Sequence, residues 1–215
     1  TNEANDTKSL SVTFEDRSPL QVDYIKVCHQ PGGVGQPNCP RGDVTNVHGF
    51  ANDIFPVPTG GVIYQGLVTP VWIYSGPLTT IEDEISFLAA LRKRHSFMQS
   101  PPGVATSFAD QLLAWLPDGL AIEGGASDPK WDSIGGTGRV FYLQKKQGVG
   151  EVSLGVAFAH EIAHNLGRRH PDAEGGCGGL DDDNTDWPYP DGKTHEVGAW
   201  VSEAMIVPDT WNDLM

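Results

Sequence analysis

Residues 159–170 read Ala-His-Glu-Ile-Ala-His-Asn-Leu-Gly-Arg-Arg-His, and no other segment restricts the fold and chemistry of the chain so tightly. On an α-helix, residues four apart stand one above the other on the same face, so His160 and His164 reach one metal ion from a single turn. Glu161, beside His160, reaches a water on that ion. Gly167 falls one turn after His164, where a helix ends most easily in the left-handed conformation that glycine adopts without steric cost. The chain can then reverse and bring His170 to the same ion from outside the helix. Three neutral imidazoles leave one coordination position open, the arrangement of a catalytic zinc site and not of a closed structural one. Just upstream, Val152, Leu154, Val156, Ala157, Phe158, Ala159, Ile162 and Ala163 are apolar on nearly all sides, which predicts a helix inside a domain.

The remaining sequence sets the frame for that helix. Lys and Arg number 14 against 28 Asp and Glu, a formal charge of −14. The few basic residues are scattered, with Arg92, Lys93 and Arg94 the densest run, which argues against a duplex nucleic-acid binder and against a polybasic membrane patch. No apolar run approaches the ~20 residues of a membrane span. Leu10–Phe14 and Leu20–Val27 alternate as half-buried strands do. Asp43–Phe55 has near-helical spacing and stops at Pro56. Gly61–Tyr74 reads as strand, and Thr79 starts a helix running to about Phe97, with Thr79 and Glu82 in a capping-box pattern. Asp110–Leu116 fits helix or strand. Residues 117–138 read as an irregular loop, and Arg139–Leu143 as a strand. No repeat or linker divides the chain, so a single α+β domain over 1–215 is expected, with 26 glycines and 16 prolines favouring many loops.

Cys28 and Cys39 bracket a stretch rich in Gly and Pro, which predicts a local disulfide; two free thiols in a reducing compartment are the alternative. Cys177 is then left as a free thiol, an intermolecular partner, or half of a pair whose mate lies beyond residue 215. The acidic balance, few Lys, six Trp and the expected disulfide favour a secreted or extracellular protein.

His160 to His170 resembles the extended zinc motif of the metzincin metalloendopeptidases. That clan also has a methionine turn beneath the zinc. Trp-Asn-Asp-Leu-Met at 211–215 looks like it, making Met215 the candidate and Met205 the alternative. Pro171 follows the third histidine as in serralysin-like members, whereas Arg168-Arg169 and Cys177-Gly178 fit none of the best-known families, so the resemblance is to the clan. It covers residues 150–215. It implies a metzincin-like catalytic domain: a twisted mixed β-sheet with a long helix and an active-site helix, above a loop-rich lower part. Metzincins continue past the methionine turn, so the chain is expected to be truncated there, or completed by a C-terminal continuation or companion fragment.

The resemblance further implies a zinc endopeptidase acting on protein or peptide substrates. His160, His164 and His170 are the implied ligands, with Glu161 the general base toward a zinc-activated water. An extended substrate is expected to pair with an exposed sheet edge, for which Arg139, Val140, Phe141, Tyr142 and Leu143 are the candidates, an ordinary core strand being the competing reading. Trp200, Val201, Ile206 and Val207 are candidates for a specificity pocket. Leu180–Asp186 concentrates carboxylates that suit calcium, but lacks the Gly and distal Glu of an EF-hand loop, so a solvated acidic loop competes. Two other functions stay open: a zinc-dependent hydrolase of a non-peptide amide or ester, and a non-catalytic metal-binding interaction module.

Overall fold

The structure is a computed structural model that describes residues 18–41, 46–55, 57, 61–67, 71–99, 109–121, 125–127, 138–144, 151–167, 198–200 and 205–207. Its centre is a mostly parallel sheet ordered β2-β1-β4-β6-β5. Strand β1 spans Leu20–His29, β2 Val62–Gly66, β4 Gln111–Leu116, β5 Gly125–Ser127 and β6 Val140–Gln144. A further strand, β3 (Trp72–Tyr74), pairs with the C-terminal end of β1. All these pairings are parallel except that of β5 with β6. Parallel strands need crossovers, and here helices supply them on both faces. Helix α1 (Gly49–Ile54) lies between β1 and β2 in the chain, α2 (Ile81–Met98) between β3 and β4, and α3 (Glu151–Asn165) follows β6. An antiparallel pair, β7 (Gly198–Trp200) and β8 (Met205–Val207), forms a separate two-stranded sheet.

One sheet face packs on α2 through Ile25, Val27, Leu112, Ala114, Val140 and Tyr142 against Phe87, Leu88, Leu91 and Met98. The other carries Val22, Leu113, Trp115, Phe141 and Leu143 against Leu154, Phe158, Ala159 and Ile162 of α3 and Val47 and Ala51 beside or within α1. The successive residues of β4 belong alternately to the two layers, and all six are buried. This resolves the ambiguity of Asp110–Leu116: a strand covered on both faces shows a continuous apolar run, not an alternation.

Several expectations shift. The single strand expected over Gly61–Tyr74 is two strands, β2 and β3. The capping box lies one residue later than the sequence pattern suggested: Thr80 caps α2, accepting from the Asp83 backbone N–H, while the Asp83 carboxylate accepts from the backbone N–H groups of Thr79 and Thr80. Within the expected loop 117–138 sits β5. Leu10–Phe14 lies outside the described residues. Cys28 and Cys39 are joined in a disulfide beside the antiparallel bridge of His29 with Asn38.

Candidate metal centre

Helix α3 has two functional sides. Leu154, Phe158, Ile162 and Asn165 recur at helical spacing and face the sheet, where Phe158 packs edge-on to Phe141 and Tyr64. Helix α1 crosses close to α3 at Gly155: a Cβ there would come within 3.3 Å of the Val47 carbonyl oxygen and 3.4 Å of the Phe50 Cβ. These contacts fix α3 by its apolar side and leave the opposite side to His160 and His164.

The Nε2 atoms of His160 and His164 stand 3.1 Å apart, the rings perpendicular at 88° with centroids 4.5 Å apart. Either a shared proton or a shared cation satisfies two nitrogen lone pairs at this distance. Two nitrogens bound tetrahedrally to zinc at ~2.0–2.1 Å are separated by about 3.3 Å, so the pair fits zinc. Both imidazoles are half-buried, and Glu161 between them in sequence is 6% exposed. After His164 the helix closes with the Gly167 N–H donating to the His164 carbonyl at 2.8 Å, and Gly167 takes φ +88°. The left-handed stop anticipated at Gly167 is therefore present, and it turns the chain just before Arg168.

His170 and Met215 lie outside the described residues, as do Pro171, Cys177, Val201 and the acidic segment 180–186. Among the described residues no group of three or more His, Cys, Asp or Glu side chains is placed to hold a metal ion. Met205, the alternative for the methionine turn, opens β8 opposite Trp200. Ile206 and Val207 belong to the same hairpin.

The expected substrate-binding strand is corrected. Val140, Phe141, Tyr142 and Leu143 form β6 with Gln144, and β6 is not an edge. Its residues pair with β4 on one side, and Phe141–Leu143 pair with β5 on the other. Arg139 precedes the strand, and its carbonyl accepts from the Leu112 N–H. The consecutive apolar residues of β6 mark a strand buried on both faces, and its backbone is taken up by β4 on one side and, at Phe141–Leu143, by β5 on the other. The outer side of the sheet at this end belongs to β5, the last strand in the order.

Among the described histidines away from the motif, His29 and His95 are hydrogen-bonded to backbone carbonyls, and His195 lies outside the described residues. The ring Nε2 of His29 donates to the Gly76 carbonyl, and that of His95 to the Ala109 carbonyl. His48 stacks on Tyr64, and its burial holds the imidazole below the usual histidine range. Two residues that sequence reasoning missed are Asn165 and Gln111, both buried polar groups bonded to each other beneath the end of α3. The signal for Asn165 was available, since an amide at that point of the helical period must face the sheet.

Comparison of the chain with protein-family models, with curated proteins and with solved structures finds no match in any of the three.

Proposed function

We propose that the chain is a zinc-dependent endopeptidase of secreted origin. The observation that carries this reading is the convergence of His160 and His164 Nε2 to 3.1 Å on one turn of a packed helix, with Glu161 beside them and a left-handed glycine ending that helix. His170 is the third ligand on sequence spacing. Zinc held by these residues supplies a Lewis acid that polarises a peptide carbonyl and acidifies water. Glu161 then accepts the proton of the attacking water and returns it to the leaving amine.

A peptide is the better-supported substrate because the sheet ends in β5. That three-residue strand is antiparallel to β6, and among the described residues no strand lies beyond it. Backbone N–H and C=O groups on such an edge pair with an extended chain, giving affinity with little demand on side-chain identity. The Cys28–Cys39 disulfide supports an oxidising compartment.

The test is elemental analysis together with a cleavage assay. The protein purified in metal-free buffer should carry close to one zinc, and His164→Ala should lose it. Casein or gelatin should be cleaved and a chelator should stop the cleavage. Full zinc retention by His164→Ala would refute the metal centre; zinc binding without chelator-sensitive peptide cleavage would refute the peptidase.

A further inference from the structure

Beneath the last turn of α3 lies a polar contact that the metal motif does not require. Asn165, the residue after His164, is fully buried. Its Nδ2 donates to Gln111 Oε1 at 3.0 Å and to the Val140 carbonyl at 3.2 Å. These acceptors are the first residues of the neighbouring strands β4 and β6. The Val140 carbonyl fixes the orientation of the amide, because only the NH2 group can donate to it. Among the described residues Asn165 Oδ1 is buried without a hydrogen-bond partner. An unmatched buried acceptor costs stability that an apolar side chain of similar size would not, and Leu154, Phe158, Ala159 and Ile162 of the same helix pack in an apolar cluster. Packing stability alone therefore does not select asparagine here.

What the amide adds is direction. Apolar contacts hold α3 against the sheet but resist rotation about the helix axis only weakly. Two hydrogen bonds to two strands fix that rotation at the one turn where it matters. Beyond Ala163 the sheet loses its other hold on the chain: Leu166 is half exposed and Gly167 is already left-handed.

We propose that Asn165 is a positioning residue for the metal centre, its amide setting the rotation of the last turn of α3 against β4 and β6. It thereby sets the direction in which His164 Nε2 faces His160 and in which the chain leaves through Gly167. The inference rests on the zinc reading above.

The test measures zinc affinity by competition with a chromophoric chelator on the full chain, for the parent, Asn165→Leu, Gln111→Leu and a control, Leu154→Ala. The control lowers stability at the opposite end of the same helix. Cobalt substitution adds a visible spectrum that reports ligand geometry. Asn165→Leu is expected to bind zinc about tenfold more weakly or worse, in the range found when groups supporting metal ligands are removed, with an altered cobalt spectrum. Gln111→Leu should show a smaller loss in the same direction. Gln111 belongs to β4 and not to α3, and its side chain accepts from the Asn165 amide, so its effect on zinc is expected through that bond. Leu154→Ala should melt at lower temperature with parental zinc affinity and spectrum. Parental affinity and spectrum in both Asn165→Leu and Gln111→Leu would overturn the inference. So would losses that follow melting temperature across all three variants. If Asn165→Leu does not fold, Gln111→Leu decides. A parent that binds no zinc fails the reading beneath, whereas a zinc-binding parent with unaffected variants fails this inference alone.

Discussion

Glu161 and the two histidines beside it share one turn of helix but differ in burial. His160 and His164 are half-buried with their Nε2 atoms 3.1 Å apart, while Glu161 is 6% exposed. On the proposed reading Glu161 is the base and not a ligand. Glu161→Gln keeps the size and shape of the side chain and removes its basicity. It is expected to retain the fold and the zinc while peptide hydrolysis falls by roughly 10²–10⁴-fold, the contribution of general-base assistance. Parallel measurement of zinc content and cleavage rate checks this; an unchanged rate would exclude Glu161 as the base. The approach of the two histidines and the glycine stop were legible in the sequence because they follow from helical periodicity alone. The Asn165–Gln111 bond was not, because it joins residues brought together only by sheet order.

The same contrast runs through the secondary structure. Helix α2 was legible from Ile81 to Phe97 because its apolar period and its polar first turn agree, and the structure extends it to Met98. Its cap was misplaced by one residue: Thr79 and Thr80 both donate to the Asp83 carboxylate, and only the geometry shows that Thr80 is the cap. Those bonds hold the exposed Asp83 carboxyl below its usual range, the Thr79 backbone N–H contributing most. Thr80→Ala removes the acceptor for the Asp83 N–H and should lower stability by about 1 kcal/mol, read as a shift of the denaturation midpoint at unchanged slope; no shift would mean that the cap contributes nothing. Strand β5 was not legible, since Gly-Ala-Ser has no strand preference and is held extended by pairing with β6. The edge expected at Arg139–Leu143 rested on its place just before α3, and β5, which pairs with its outer side, was not foreseen.

Seen as a layered body, the sheet separates two kinds of packing. The face bearing α1 and α3 carries the helix of His160 and His164, and the face bearing α2 carries a buried histidine, His95. His95 is 1% exposed, and its Nε2–H donates to the Ala109 carbonyl at 3.1 Å. Burial is the main force lowering its pKa; the Ala109 bond opposes it, the positive charge of Arg139 adds to it, and Asp23 and Asp110 oppose it. The native imidazole thus stays neutral at a pH where an unfolded one, with its ordinary value near 6.5, takes up a proton. Above that pH neither state binds the proton and His95 has no effect on the pH dependence. As pH falls through about 6.5, the unfolded chain binds more protons than the native one and stability drops, by at most about 1.4 kcal/mol per pH unit for one such group. Other groups, carboxylates above all in a chain of net charge −14, impose their own trend at lower pH, so the comparison with a variant is what isolates the histidine. His95→Gln keeps an N–H within reach of the Ala109 carbonyl and cannot titrate. Denaturant unfolding of both proteins from about pH 7 to about pH 5 should show the parent losing more stability than His95→Gln, so that any advantage of the parent at neutral pH narrows or reverses in acid. Parallel losses across that interval would show that the native His95 accepts its proton as readily as the unfolded one, and the buried neutral imidazole would then be wrong.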